Sequence, residues 1–226
     1  MWSEYVTPLN VDSRIWPSMA AIAERLWSPQ QVKDVGSMYR RLEVVSRYLD
    51  WLGLTHRSSY PLMLERLTSG QSVEELKILS DVLEPVKFYD RGEALEYTSF
   101  TPMNRLVDAT RPESNVAREF AALVQNPIGN KEEIRKQLTG WRESQAELIP
   151  ALKRSALLKE TIPLAEDLAA LAATGLQALD YIGTRKKAPK NWADQQMSVL
   201  DRAAKPRAEL LIMIVPSIRK LVEAAK

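Results

Sequence analysis

The sequence contains no cysteine and a single histidine, His56. Without cysteine the chain can form neither a disulfide framework nor a thiolate metal site. One histidine is too few for the zinc centres that use several imidazole ligands. The composition therefore excludes these chemistries, and we predict no metal site and no cofactor.

An excess of charge of either sign is also missing. The chain has 31 basic and 29 acidic residues, a net charge of +2, and a field this weak does not favour a nucleic acid or an anionic membrane as partner. The most apolar stretch, "AELLIMIVPSI" at 208–218, is too short to cross a bilayer. We predict that it is a buried helix. The N-terminus lacks a signal-peptide pattern, because charged residues such as Glu4 and Asp12 interrupt every apolar run.

Apolar residues recur at helical spacing along most of the 226 residues. This pattern predicts an all-α fold, a helical bundle. The predicted helices cover 18–27, 35–52, 72–83, 113–125, 130–152 with an interruption near Pro150, 163–179, and 210–222 with a kink at Pro216. Capping-box patterns at Ser72 and Asn130 predict two of the helix starts.

Several residues that could carry chemistry are better explained by packing or solvation. We predict that Trp27, Trp51, Trp141 and Trp192 belong to the core, and that His56 is a surface or loop residue. The acidic pairs 74–75, 132–133 and 166–167 are interpreted as helix starts or polar faces. The segment 85–102 shows no sustained period, and we predict a long connection that Phe88, Tyr89, Tyr97 and Phe100 hold in order.

The N-terminal "MWSEYV" places a tryptophan and a carboxylate two residues apart. Residues 1–7 are predicted to be extended, and in a strand Trp2 and Glu4 project from the same face. An aromatic ring can cover the apolar face of a sugar, while a carboxylate accepts strong hydrogen bonds from hydroxyl groups. The pair is therefore a candidate sugar-binding site.

Three motifs follow one another within the first 28 residues: W-x-E-Y-V, R-I-W-P and A-E-R-L-W-S. This combination resembles the last strand, loop and helix of the catalytic barrel of glycoside hydrolase family 20, the β-N-acetylhexosaminidases. "MYRRLEVVSRYLDWLGL" is similar to the helix that follows the barrel in that family. The remaining residues resemble, less specifically, a helical C-terminal extension of bacterial members.

The resemblance implies two domains, the end of the catalytic barrel at 1–67 and a C-terminal helical domain at 68–226. It implies that Trp2 and Glu4 bind substrate, a terminal N-acetylhexosamine of a glycan. Arg14, Trp16, Glu24 and Arg25 also match the family, and we interpret them as packing and salt-bridge positions. The short extended N-terminal segment would be the remnant of the last β/α unit of a (β/α)8 barrel.

The family's catalytic Asp-Glu pair has no counterpart, since the sequence contains no Asp-Glu dipeptide. A (β/α)8 barrel also needs about 250 residues, and its site is built by loops from all eight strands. We therefore predict no catalytic residue and an inactive isolated chain. The alternative is a non-enzymatic helical module for interaction or oligomerisation, because the apolar face of 17–27 would lack the strands it normally covers. Exposure of this face would favour a homo-oligomer, at least a dimer.

Overall fold

The computed structural model describes residues 5–184 and 188–225. The chain divides into two compact units, Met1–Met63 and Leu64–Lys226. Helices make up 62% of the structure, and the strands it describes are two short segments. This confirms the predicted all-α class. Of the predicted extended segment 1–7, residues 1–4 lie outside the described residues, and residues 5–7 belong to no helix or strand.

Within residues 5–63, the first unit contains three helices and the beginning of a fourth: α1 Val11–Ile15, α2 Ser18–Trp27, α3 Val35–Trp51 and α4 Ser59–Thr68. Helix α3 begins at an Asp34 cap, whose side chain accepts a 2.8 Å hydrogen bond from the Ser37 amide. It ends just before Gly53, whose positive φ of 92° suits a residue without a Cβ atom. The predicted helices 18–27 and 35–52 are therefore confirmed. Pro61 lies in the first turn of α4, where its missing N–H has no helical partner to lose.

The second unit is built around one long buried helix. Its elements after α4 are α5 Val73–Ser80, β1 Leu83–Pro85, α6 Asp90–Ala94, α7 Leu106–Ala109, α8 Asn115–Leu123, α9 Lys131–Glu143, α10 Gln145–Arg154, a 3₁₀ turn Lys159–Thr161, α11 Ile162–Tyr181, α12 Trp192–Ala203, β2 Leu210–Ile212 and α13 Val215–Ala224. Helix α11 packs against α9, α10, α12 and α13. Its leucines Leu164, Leu168, Leu171 and Leu179 are completely buried.

Two of the predicted helices overlap strands: the helix predicted at 72–83 reaches the first residue of β1, and the helix predicted at 210–222 begins with β2. The strands β1 and β2 pair antiparallel with Glu84 opposite Leu211. The ladder continues through the bond from the Met213 amide to the Val82 carbonyl, 2.9 Å. The helix predicted over 210–222 therefore starts only at Val215, and Pro216 lies in its first turn rather than at a kink. An apolar run of this length fits a buried strand as well as a helix, so its periodicity could not decide between them.

Other helix boundaries also differ from prediction in detail. Helices α5 and α9 begin at the predicted places, but neither Ser72 nor Asn130 makes the predicted side-chain cap. The break in the predicted helix 130–152 falls at Ser144, and Pro150 lies inside α10. Helix α8 matches its prediction, with the Ser114 hydroxyl accepting a hydrogen bond from the Ala117 amide at 3.0 Å.

The segment between β1 and α7 is not held by its aromatic residues as predicted. Phe88, Tyr89 and Phe100 are 94%, 72% and 92% exposed. Of the four aromatic residues, only Tyr97 uses its side chain in a described internal contact, a hydrogen bond to Arg91. Charged side chains therefore anchor this segment.

Candidate functional site

The predicted substrate-binding residues Trp2 and Glu4 lie outside the described residues. The structure describes the segment that follows them. Asn10 is buried, and its side-chain oxygen accepts a 2.7 Å hydrogen bond from the Thr7 amide. The Asp12 carboxylate accepts hydrogen bonds from the amide and the hydroxyl of Thr55, at 2.8 and 3.0 Å. Through these bonds α1 is tied to the turn after α3.

Helices α2 and α3 are joined by charged side chains. The Glu24 carboxylate forms an ion pair with the Arg41 guanidinium. Arg25 donates hydrogen bonds to the carbonyls of Gln30 and Val32, at 3.3 and 2.9 Å. The predicted structural role of Glu24 and Arg25 is thereby confirmed. Arg14 and Trp16 are half-buried.

Large apolar side chains of the first unit face solvent. On α2, Ile22, Leu26 and Trp27 are 49%, 79% and 90% exposed, and Trp51 at the end of α3 is 78% exposed. The predicted core position of Trp27 and Trp51 is therefore wrong, because the helix face that carries each tryptophan is not covered.

The same core prediction holds in the second unit. Trp141 and Trp192 are buried. Trp141 packs edge-to-face on Phe120 with ring centroids 4.8 Å apart, and Trp192 donates a hydrogen bond to Gln177 at 3.0 Å. A buried tryptophan needs such a partner for its N–H group.

His56 lies in a loop of the first unit, one of the two predicted alternatives, and it is buried there rather than at the surface. Its Nε2 atom lies 2.7 Å from the Ser46 hydroxyl, and its Nδ1 atom lies 3.6 Å from an Asp50 carboxylate oxygen. Burial lowers the pKa of His56, while the charge of Asp50 partly offsets the effect.

Serine, histidine and aspartate are the residue types of a nucleophilic triad. Ser46, however, is itself buried in the middle of α3 and exposes only 4% of its surface. A nucleophile must reach its substrate, so this arrangement does not serve nucleophilic catalysis.

The second unit contains a buried network of charged groups. The Arg91 guanidinium binds Asp108, and its Nε atom donates a 2.7 Å hydrogen bond to Glu209. Arg105 donates to the second Glu209 oxygen at 2.6 Å. The Tyr97 hydroxyl lies among these groups, 3.1 Å from Arg91 Nε. The network joins α6 and α7 to the residue that precedes β2.

The surroundings of these groups raise their pKa values, which keeps the two arginines charged and the tyrosine neutral. Burial opposes the charge of Arg91, but the hydrogen bond and the charge of Asp108 raise its pKa above the ordinary value. A bidentate pair with Glu160 is the main cause of the raised pKa of Arg105. Burial, followed by the Glu209 hydrogen bond, raises the pKa of Tyr97. Because every one of these groups has a partner, the network is built to hold the segment in place.

The three acidic pairs do not all behave as predicted. Glu74, Glu132 and Glu133 are exposed in first helical turns, which confirms their interpretation. Asp167 is instead buried and accepts hydrogen bonds from Arg202 and Arg207, at 2.7 and 3.2 Å. Its partners lie 35 and 40 residues further along the chain, so the local sequence carried no signal for them.

The described residues offer no room or ligand set for a metal ion or a sugar elsewhere. Across residues 5–184 and 188–225, no cluster of three or more acidic or histidine side chains is arranged to hold a metal ion. A pocket lined by Ser80, Asp81, Arg111 and Ser114 encloses about 10 Å³, room for one water and not for a sugar. No helix in the described part of the chain has the length and hydropathy needed to span a bilayer.

Each comparison with known proteins finds similarity to glycoside hydrolases, over different lengths of the chain. The family model "Glycosyl hydrolase family 20, catalytic domain" matches residues 1–30. Beta-hexosaminidase subunit beta of Felis catus is 46% identical over 44 residues, and the human subunit beta is 45% identical over 42 residues. The solved structure of Flavobacterium johnsoniae chitobiase is similar over 98% of the chain, with a TM-score of 0.86 and 28% identity.

The chain is therefore similar to proteins of glycoside hydrolase family 20. The relatives are similar over different lengths. The 44 residues matched in the cat subunit are 20% of the chain and 8% of that protein. The chain spans 34% of the chitobiase. Only the structural comparison thus extends the family 20 similarity to the second unit.

Proposed function

We propose that the chain forms the C-terminal portion of a β-N-acetylhexosaminidase-like glycoside hydrolase. Residues 1–67 would be the end of the catalytic barrel and 68–226 a C-terminal helical domain. The family match to residues 1–30, which include Trp2 and Glu4, is the observation that carries the proposal. The division of the structure between Met63 and Leu64 supports the two-domain assignment.

In the whole enzyme, Trp2 and Glu4 would form two walls of the sugar pocket. The indole ring would cover the apolar face of a terminal N-acetylhexosamine, and the carboxylate would accept hydrogen bonds from its hydroxyl groups. The substrate would be a glycan that ends in N-acetylglucosamine or N-acetylgalactosamine. Specificity for the sugar would come from this pair together with walls supplied by the rest of the barrel.

The reaction of the whole enzyme would be substrate-assisted hydrolysis. The acetamido oxygen of the substrate attacks the anomeric carbon, an aspartate orients the acetamido group, and a glutamate protonates the leaving oxygen. The sequence has no adjacent Asp-Glu pair to perform these roles. We therefore expect the isolated chain to be inactive.

A chromogenic assay tests this proposal. Purified chain is incubated with an aryl β-N-acetylglucosaminide and the matching galactosaminide, beside an active β-hexosaminidase at equal concentration. We expect no aryl release above the buffer blank. Release that grows in proportion to the concentration of the chain would overturn the inactivity of the chain.

The exposed face of α2 favours a second candidate, a helical module for self-association. Ile22 and Leu26 lie one turn apart on the same face of α2, Trp27 follows Leu26, and all three side chains are exposed. Burying each of these side chains against a second copy would stabilise a dimer by roughly 1.5–3 kcal/mol before the entropic costs of association.

Light scattering tests the self-association. We expect at least a dimer at a protein concentration of tens of micromolar, at which weak dimers form. The double variant Leu26→Glu with Trp27→Glu should shift it to monomer. As the matched control, Gln30→Glu with Gln31→Glu adds the same two charges at neighbouring exposed positions and should leave the dimer intact. A monomeric wild-type chain, or equal loss in both variants, would contradict this candidate.

A further inference from the structure

The turn at residues 54–58 joins α3 to α4 and carries the single histidine of the chain. The His56 side chain exposes only 1% of its surface. One ring nitrogen, Nε2, lies 2.7 Å from the Ser46 hydroxyl on α3. Within the described part of the chain, the other nitrogen, Nδ1, has no hydrogen-bond partner. A buried imidazole with one unused nitrogen needs an explanation.

Charged groups of α1, α3 and the turn itself act on the ring. The Asp50 carboxylate of α3 lies 3.6 Å from Nδ1 and also pairs with Arg57 Nε at 3.2 Å. Arg57 reaches on to Glu43 at 3.0 Å. Asp12 of α1 holds the neighbouring residue Thr55. Asp50, Asp12 and Glu43 favour a protonated ring, whereas Arg57 opposes it.

The position of Asp50 favours one of the two tautomers of the neutral ring. A proton on Nδ1 points a positive N–H dipole toward the carboxylate, and it leaves Nε2 free to accept the Ser46 hydroxyl proton. A proton on Nε2 would instead point the lone pair of Nδ1 at the carboxylate, an unfavourable arrangement. The electrostatics therefore favour the form protonated at Nδ1.

We propose that His56 is an acid-sensitive clasp that holds the turn 54–58 on α3 while the ring is neutral and releases it when the ring takes up a proton. A second proton can only go to Nε2. The Ser46 hydroxyl then loses its acceptor and must rotate to accept a hydrogen bond instead. The cation that results is buried, and the carboxylate that could compensate it is already paired with Arg57.

The direction of the pH effect follows from the burial of the ring. Because burial lowers the pKa of His56 in the folded state, the folded chain binds fewer protons than the unfolded chain just below the ordinary pKa of 6.5. The stabilisation by the clasp is fully present above this value. It is lost as the pH falls through the lower pKa of the folded state.

Imidazole NMR on ¹⁵N-labelled protein tests the clasp without ambiguity of assignment, because the chain has one histidine. Near neutral pH we expect Nδ1 to be protonated and Nε2 to be unprotonated. A pH titration should give a pKa of His56 below 6.5. Asp50→Asn should lower this pKa further, and Arg57→Gln should raise it. A pKa at or above 6.5, protonation at Nε2 in the neutral ring, or the same direction of change in both variants would overturn the proposal.

Urea unfolding supplies the readout of release. Between about pH 7.5 and about pH 5, the range in which histidine titrates, the wild-type unfolding constant should increase by a larger factor than that of His56→Gln. Carboxylates titrate in both proteins, so the difference isolates His56. Equal factors would contradict the clasp. If His56→Gln does not fold, the same comparison is made with Arg57→Gln, whose folded-state pKa lies closer to 6.5 and whose unfolding constant should therefore increase by a smaller factor than that of the wild type.

Discussion

Arg91 and Glu209 lie 118 residues apart in sequence and form a buried ion pair. The side chain of Arg91 exposes 5% of its surface, that of Glu209 2%. Removing one member of such a pair leaves a buried charge without compensation, at a cost of about 3–5 kcal/mol. We expect this loss for Arg91→Met, measured as the free energy of unfolding in urea.

The matched control for this variant is Glu160→Gln. Glu160 pairs with Arg105 in the same network, but 38% of its side chain is exposed. An exposed pair contributes about 1 kcal/mol or less, so the control should remain close to the wild type. Equal losses in the two variants would show that burial does not govern the strength of these pairs.

The sequence could not predict the partners of Arg91 or His56. Both residues lie outside periodic segments, and hydrophobic spacing places only the residues that repeat along an element. Glu209 reaches Arg91 from a stretch with positive φ at Ala208 and Glu209, a conformation rare for these residue types. Which charges meet is decided when distant segments pack, so the sequence alone carried no signal for it.

Helix α11 approaches its neighbours most closely at Gly175. A Cβ atom there would lie 2.9 Å from both terminal carbons of Leu138 and 3.1 Å from Ile218 Cδ1. Leu138 and Ile218 are completely buried and have little room to move. Gly175→Val should therefore reduce the free energy of unfolding by about 1–3 kcal/mol, as measured by urea denaturation.

Gly140 in α9 is the control for Gly175→Val. It is exposed, and an added Cβ atom would meet nothing within 4 Å. Gly140→Ala should therefore stabilise the chain by about 0.5–1 kcal/mol through helix propensity. If both glycine substitutions change the stability in the same direction, close packing at Gly175 is not the cause of its effect.

The helices of this protein follow from their sequence better than its strands do. Long amphipathic segments such as α3 have a period that only a helix satisfies. Residues 210–216 are apolar without interruption, and the first of them pair with β1, in which Glu84 lies 127 residues before its partner Leu211. Trp27 and Trp141 show the same limit, since both occur in predicted helices but only the second is covered.

At the scale of the whole molecule, the chain is similar to only part of each longer relative. The chain spans 34% of the chitobiase it resembles and 8% of the cat hexosaminidase subunit. The motifs around Trp2 and Glu4 sufficed to predict the family, because they combine three specific patterns in 28 residues. The roles of Trp2 and Glu4 stay predictions. The uncovered apolar face of α2 is consistent with a helix whose partners are supplied from outside these residues.

Hydrolysis of a β-linked N-acetylglucosamine disaccharide by the purified chain is the decisive measurement. The released monosaccharide is quantified by mass spectrometry after long incubation. Because the sequence lacks an Asp-Glu pair, we expect no release above a sample without protein. The proposal that the chain is an inactive portion of a family 20 enzyme would be contradicted by one result. That result is a release that rises in proportion to the chain concentration and stays with the chain through a second purification.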